Sequence, residues 1–136
     1  MWNIAFGATA GVHPTTLDDI LRVTLDAANH WGRYIDFNGR TLEIQINIVS
    51  LGPTTLAQAG PERFYSTGTF NGSTVFQASS ILELQTGNDP NGSTQDIEID
   101  INLDSINANE YFYGGLANPN VPFSLFDLFT VLAHEL

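Results

Sequence analysis

The sequence contains no cysteine, and only four of its 136 residues are basic. The lack of cysteine excludes a disulfide framework and any zinc site built on thiolates. Four basic residues against fifteen acidic ones argue against binding to nucleic-acid phosphates or to an anionic membrane surface. No apolar run is long enough to span a bilayer. We therefore expect neither nucleic acid nor a membrane among the partners.

The composition that remains fits one acidic, folded domain. The chain carries a formal net charge of -11 and 43% hydrophobic residues, enough to build a core within a single domain over residues 1–136. An acidic surface without lysine suits a secreted or calcium-rich setting, although it also simply confers solubility. The first residues lack the basic start and long apolar stretch of a signal peptide. We expect an extracellular location, with any signal sequence removed or encoded upstream.

Helical periodicity is found near both ends of the chain. Apolar residues recur at helical spacing over residues 16–34, where Thr16 and Asp19 have the spacing of a capping box. A last helix is predicted to begin near Ser124, which has the same spacing to Asp127. Its apolar face is predicted to contain Leu125, Leu128, Phe129, Leu132 and Leu136.

Strand patterns occupy the middle of the chain. Apolar and polar residues alternate over Leu42–Ile48 and again over Ile97–Leu103, as in half-buried strands. Trp2–Phe6 is predicted as a short first strand, and Ile81–Leu84 as a later one. Asn71, followed by glycine, predicts a tight hairpin turn between two strands.

The element order predicts an α/β (α+β) fold. Segments 53–66 and 107–121 show no periodic pattern and are predicted to be irregular. We expect a twisted mixed sheet of four to five strands with two long helices packed against it. Each helix has one apolar stripe, so both are expected on the same face of the sheet, the face formed by Ile97, Ile99 and Ile101.

The pair His134-Glu135 lies within the last apolar helix. His-Glu is the first half of the His-Glu-x-x-His motif, in which two histidines four residues apart aim both imidazoles at one zinc ion. The glutamate of that motif takes a proton from the attacking water. A helix end with an ordinary surface histidine and glutamate would give the same two letters. The apolar helix around the pair, and the strand and loop before it, favour the catalytic interpretation.

Three segments together resemble the metzincin zinc proteases, in particular their serralysin- and matrixin-like branch. They are the strand Asp96–Asn102, the loop Tyr111–Gly114 and the final helix Leu128–Leu136. In that family a strand and a loop lead into an active-site helix of the form V-x-x-H-E-[LIV]-G-H. The early helix with Ala27–Trp31, followed by a strand, is similar to the family's first helix and second strand.

The resemblance implies a zincin-like N-terminal subdomain of a secreted, zinc-dependent endopeptidase. It implies that His134 is a zinc ligand and that Glu135 is the general base of hydrolysis by zinc-activated water. The substrate would be a protein or peptide that lies extended along an edge strand of the sheet. We expect that edge strand between Phe70 and Leu103.

The family motif continues with a glycine and further histidines that this chain does not contain. The resemblance therefore implies that the chain is cut inside the motif and that the second and third zinc ligands lie beyond Leu136. As given, the chain is expected to be inactive and to bind zinc weakly, because a zinc site needs three or four protein ligands. Apolar surface on Leu128, Leu132 and Leu136 is expected to be partly exposed.

Calcium is a further candidate cofactor, since it takes several oxygen ligands. Two acidic groups have suitable composition: Glu98, Asp100 and Asp104 on one strand face, and Asp89, Asn91 and Asp96 around a turn. A solvated strand face and an ordinary turn explain them more simply, and we favour these explanations. His13 and His30 have no ligand spacing to other residues and are expected to be surface or packing residues.

Two other functions stay open. One is a non-catalytic, acidic, β-rich extracellular module that binds calcium, a glycan or a protein partner. The other is a structural fragment without activity. The residues encoded after Leu136 discriminate between them and the protease, since only the protease requires another histidine four positions after His134.

Overall fold

The computed structural model describes residues 1–9 and 11–136, which form eight strands and four α-helices. The strands are β1 (Trp2–Phe6), β2 (Leu42–Val49), β3 (Ala57–Pro61), β4 (Phe64–Phe70), β5 (Ser73–Ala78), β6 (Ile97–Asn102), β7 (Tyr111–Phe112) and β8 (Phe126–Asp127). The helices are α1 (Pro14–Trp31), α2 (Ser79–Thr86), α3 (Leu103–Asn107) and α4 (Leu128–Glu135). Among these helices, none combines the length and apolarity needed to cross a membrane.

The main sheet has four strands in the order β1-β2-β6-β3. The first three are parallel, and β3 runs antiparallel to β6 at the edge. The mixed α/β fold and the mixed sheet predicted from the sequence are therefore confirmed. Strands β4 and β5 form a separate hairpin, and β7 pairs with β8. Asn71 and Gly72 join β4 to β5 with φ of 49° and 82°, as the predicted hairpin turn requires.

The core lies between one face of the main sheet and the two helices α1 and α4. The alternating pattern of β2 and β6 turns one row of isoleucines inward, and Ile46, Ile99 and Ile101 are fully buried. Leu128 and Leu132 of α4 are also 0% exposed, so the expectation that their apolar surface would be partly exposed is wrong. These two leucines pack into the same buried cluster as the isoleucines and the inner face of α1. Both helices therefore cover one face, as expected.

Helix α1 begins earlier than the capping-box spacing indicated. Pro14 is its first residue, and the Nδ1 atom of His13 accepts a hydrogen bond from the Thr15 backbone N–H at 3.3 Å. Proline is favoured at this position because its fixed φ suits the helix and its missing N–H would have no partner there. The predicted cap at Thr16 is therefore wrong. The helix ends at Trp31 with Gly32 as its C-cap, so it stops before the end of the predicted range 16–34.

Helix α4 is shorter than predicted and does not begin at Ser124. Asp127 is its N-cap, and its Oδ2 atom accepts hydrogen bonds from the Thr130 N–H at 3.2 Å and the Thr130 hydroxyl at 2.6 Å. The residues just before it are extended, because Phe126–Asp127 pairs with Tyr111–Phe112. This pairing delays the helix start and gives structure to part of the segment predicted to be irregular.

The predicted strand at Ile81–Leu84 is also wrong, because these residues lie in α2. A short apolar run does not distinguish a strand from a helix, and Gly87 ends α2 in the left-handed conformation at φ 74°. Segment 53–66 contains β3, whose sequence has low strand propensity and whose pairing with β6 makes it a strand. Strand β6 ends at Asn102, since Leu103 begins α3.

Candidate functional site

Helix α4 holds the His134-Glu135 pair at the surface of the core. Leu132 anchors the helix in the core, and the Trp31 indole N–H of α1 donates to the Ala133 carbonyl oxygen at 2.8 Å. His134 follows Leu132 by two positions, which turns its side chain away from the core. Accordingly, the His134 imidazole is exposed and Glu135 is half-buried.

Both side chains line a cleft of about 470 Å³. One wall is α4, which contributes Thr130, Val131, His134 and Glu135. The facing wall is the segment Thr54–Ala57, which leads into strand β3. A polar pair on a helix therefore faces a sheet edge across an open cleft.

The facing wall is fixed by one buried amide. Asn102 is 0% exposed, and its Nδ2 atom donates to the carbonyl oxygens of Gly52 and Thr55, both at 2.7 Å. Its Oδ1 atom accepts from the Leu51 N–H at 3.0 Å. The Tyr111 hydroxyl also donates to a carbonyl oxygen of this loop. The sequence analysis did not identify this role of Asn102, since an asparagine at the end of a strand carries no special pattern.

Strand β3 presents free backbone groups on the side away from β6. Ladder bonds join the Asn102 N–H to the Leu56 carbonyl oxygen and the Glu62 N–H to the Asp96 carbonyl oxygen, each at 3.0 Å. Hydrogen-bonded pairs alternate along an antiparallel ladder, so the backbone groups of Ala57 and Ala59 point away from β6. The expected edge between Phe70 and Leu103 is wrong, because the strands there lie inside the sheet or in the separate hairpin.

The residues that the structure describes bring no complete set of zinc ligands to His134. Within the described part of the chain, His134 belongs to no group of three metal-ligating side chains. His13 caps α1, and His30 packs edge-on against Trp31 and Phe129 with ring centroids 6.2 and 6.0 Å apart. These two histidines are therefore capping and packing residues, and the donor set around His134 is one imidazole with the neighbouring carboxylate.

The acidic residues of β6 do not converge on a cation. The Asn47 side-chain amide donates to Glu98 and, at 3.1 Å, to Asp100. Gln58 donates to the other Asp100 oxygen at 2.9 Å. Asp104 lies on α3 and accepts from the Ser50 hydroxyl at 2.6 Å. Side-chain amides and a hydroxyl therefore provide hydrogen-bond partners for this row.

The second acidic group divides between a turn and a buried cluster. Asp89 Oδ1 accepts from the backbone N–H groups of Asn91 at 3.0 Å and Gly92 at 2.6 Å, which is an Asx turn. Asp96 does not join that turn. Its carboxylate lies with Glu43 of β2 and Glu83 of α2, and ligand atoms of the three side chains are within 4.8 Å of one another.

This carboxylate cluster, Glu43, Glu83 and Asp96, is the acidic site that sequence patterns missed. Burial, together with a hydrogen bond and repulsion from Asp96, raises the pKa of Glu43 to about 7. Burial, with repulsion from Asp96, also raises the pKa of Glu83. Glu83 lies in an Ile-Leu-Glu-Leu run that was predicted as a strand, whereas its burial depends on helix α2 and the packing of that helix.

Comparison of the chain with protein-family models, curated proteins and solved structures found no match. The resemblance to the metzincins is therefore carried by the order of elements and by the His-Glu pair of α4. Membership of that family stays a prediction.

Proposed function

We propose that this chain is the N-terminal part of the catalytic domain of a secreted, zinc-dependent endopeptidase. The observation that carries the proposal is the cleft in which His134 and Glu135 face Thr54–Ala57, the segment that leads into edge strand β3. Hydrolysis of a peptide bond needs a polarised carbonyl, a water and a base within reach of that water. A strand edge can hold an extended peptide, and a base on the facing helix can activate the water that attacks it.

The two residues of the pair have different roles in this proposal. His134 holds the metal through its exposed imidazole. The metal, when bound, supplies the Lewis acidity that polarises the scissile carbonyl. Glu135 is half-buried beside it, and its carboxylate accepts a proton from the attacking water and passes it to the leaving amine.

Strand β3 binds the substrate backbone. The free N–H and carbonyl groups of Ala57 and Ala59 pair with an extended peptide as an added strand, which is a common mode of peptide recognition. Pro61, at the end of β3, suits an edge because its missing N–H points away from the ladder. Main-chain pairing of this kind selects extended, unstructured segments with little regard to their sequence.

The proposal requires two more zinc ligands than the 136 residues supply. The family pattern places them after Leu136, the first of them one helical turn beyond His134. The test therefore uses the gene product with every residue encoded after Leu136, purified with zinc. It should hydrolyse an unstructured protein such as casein, and zinc chelation should abolish the activity.

Two substitutions separate the two roles. Glu135→Gln should lower kcat by about a thousandfold or more while bound zinc, measured by metal analysis, stays near one per chain. His134→Ala should lose both the metal and the activity. Glu98→Gln, on the opposite face of the sheet, is the matched control and should change neither.

Near-normal turnover by Glu135→Gln would contradict the base role and with it the family assignment. A natural continuation without histidine four positions after His134 would contradict the zinc proposal. A continuation without that histidine would favour the binding module, which the buried carboxylate cluster supports.

A further inference from the structure

Helix α2 is turned so that its acidic residue faces inward. Glu83 is 4% exposed, whereas Ile81, two positions earlier, is 45% exposed. Packing α2 with the isoleucine buried and the glutamate exposed would cost less free energy, because an unpaired buried carboxylate is costly. The structure therefore places Glu83 inside at the expense of the ordinary hydrophobic pattern.

Three carboxylates from three separate elements meet at that point. Glu43 comes from β2, Glu83 from α2 and Asp96 from the residue before β6, all within 4.8 Å. They lie on the face of the sheet opposite α1 and α4, since the neighbouring Ile44 points to the core. The cluster is therefore separate from the cleft at His134.

The cluster has oxygen atoms with no partner. Glu83 Oε2 and Asp96 Oδ1 are buried without a hydrogen bond, in side chains that are 4% and 0% exposed. The other Asp96 oxygen accepts from the Glu43 backbone N–H at 3.0 Å, which fixes the orientation of the carboxylate. Fully buried acceptors are almost always satisfied in folded proteins, so these atoms point to a ligand.

Two neutral oxygens near the cluster are also buried and without a partner. The Ser79 hydroxyl lies one helical turn before Glu83 on the same face of α2. Asn91 donates through Nδ2 to the carbonyl oxygens of Thr94 and Gln95, just before Asp96, and its Oδ1 is unpaired. Helix α2 and the loop before β6 thus each offer one further oxygen ligand.

Among the described residues, no basic side chain forms an ion pair with the cluster. Arg40 lies against Gly87 at the end of α2, and its charge and that of the N-terminal ammonium only partly offset the raised pKa of Glu83. In the described part of the chain, the ion pair within 4.0 Å is Arg22–Asp19 on the surface of α1. Three carboxylates at this spacing without a cation repel one another strongly in a buried site.

We infer that Glu43, Glu83 and Asp96 bind one calcium ion. The donors are all oxygen, which excludes the sulfur- and nitrogen-preferring metals and matches a hard cation. Three carboxylates that can each bind through two oxygens, with a serine hydroxyl and an amide oxygen nearby, approach the six to eight ligands that calcium takes. Magnesium keeps several waters in a strict octahedron and suits a site of three carboxylates poorly.

Calcium at this site would join α2 and the loop before β6 to strand β2. Each of the three elements contributes one carboxylate. The bound ion would therefore hold together three elements whose carboxylates otherwise repel one another. The ion would therefore stabilise the fold rather than take part in chemistry at His134. The inference does not depend on the proposed protease function.

The test is calcium binding to the chelator-treated protein, followed by calorimetric titration and thermal unfolding. One calcium ion should bind per chain, and Tm should rise by about 5 °C or more when free calcium is about 100-fold above Kd. Magnesium at the same concentration should shift Tm far less. Glu83→Gln should weaken calcium binding at least about tenfold while leaving Tm without calcium unchanged or higher, because it removes a repelled charge.

Glu98→Gln is the matched control and should keep the full calcium response, since amide side chains already satisfy Glu98. Asp96→Asn serves as a second variant if Glu83→Gln does not fold. The inference is overturned if the unmodified protein shows neither heat of binding nor a Tm shift with calcium. An equal response to magnesium, or a calcium affinity that Glu83→Gln leaves unchanged, would overturn it as well.

Discussion

At the scale of the residue, buried asparagine side chains organise the surroundings of the cleft. Asn102 reaches three groups of the loop before β3 and also accepts from the Asp104 N–H at 3.1 Å, which caps α3. An amide can donate and accept at once, so one side chain closes a loop and starts a helix. No charged side chain could do this at 0% exposure without a large desolvation cost.

Asn102→Ala should therefore destabilise the protein by about 2–4 kcal/mol, because it leaves several buried backbone groups unsatisfied. The free energy of unfolding from urea denaturation measures the loss. Asn88→Ala, at an exposed loop position, should change it by less than about 0.5 kcal/mol. An equal, small effect of both variants would show that water replaces the Asn102 hydrogen bonds.

Local sequence identifies some candidate functional residues and misses others. His134 and Glu135 were found because neighbours in sequence form the pattern and a helix keeps them on one surface. Glu43, Glu83 and Asp96 lie 53 positions apart at most along the chain, and only the sheet register and the rotation of α2 bring them together. No periodic pattern in the sequence indicates that these three carboxylates lie together.

At the scale of the element, edge strand β3 has the weakest sequence pattern in the main sheet. Its residues Ala-Gln-Ala-Gly-Pro give neither alternation nor strand propensity. Strands β2 and β6 were predictable because their alternating isoleucines bury one face, whereas β3 depends on a partner far along the chain. The start of α4 was mispredicted for the same reason, since the β7–β8 pairing is non-local.

Proline substitution can separate the two sides of β3. Ala59→Pro removes an N–H that points away from β6, so the free energy of unfolding should fall by less than about 1 kcal/mol. Gln58→Pro removes a ladder N–H and should cost about 3 kcal/mol or more. In the full-length gene product, Ala59→Pro should also lower kcat/KM for a casein substrate about tenfold, the value of one lost hydrogen bond to substrate.

The comparison of these two variants is made by urea denaturation before any activity is measured. Equal destabilisation would contradict the ladder alternation assigned to β3. A stable Ala59→Pro protein with unchanged kcat/KM would contradict binding of the substrate along this edge, while leaving the roles of His134 and Glu135 open to their own test.

At the scale of the whole molecule, the fold is held by a one-sided core and by amide hydrogen bonds rather than by ion pairs. The net charge is -11, and the Arg22–Asp19 pair is exposed on both sides, so it contributes little to stability. The pH dependence of stability must then come from the few titratable groups that the fold buries. On the alkaline side the most buried of these is Tyr111, at 4% exposure.

Burial raises the pKa of Tyr111 from 10.0 to about 12, and its hydroxyl donates to the Leu56 carbonyl oxygen beside the cleft. The folded state therefore keeps the proton longer than the unfolded chain. The stabilisation is complete below pH 10 and is lost as pH rises through about 12. A shift of this size corresponds to about 2–3 kcal/mol, so unfolding free energy measured by urea denaturation should decline over that interval by a similar amount.

Tyr111→Phe should be less stable by about 1 kcal/mol at neutral pH through the lost hydrogen bond, yet its decline above pH 10 should be flatter. Tyr34→Phe, at an exposed position, should keep the steep decline. The same steepness in Tyr111→Phe would assign the alkaline loss to Tyr113, whose pKa burial also raises, or to the net charge.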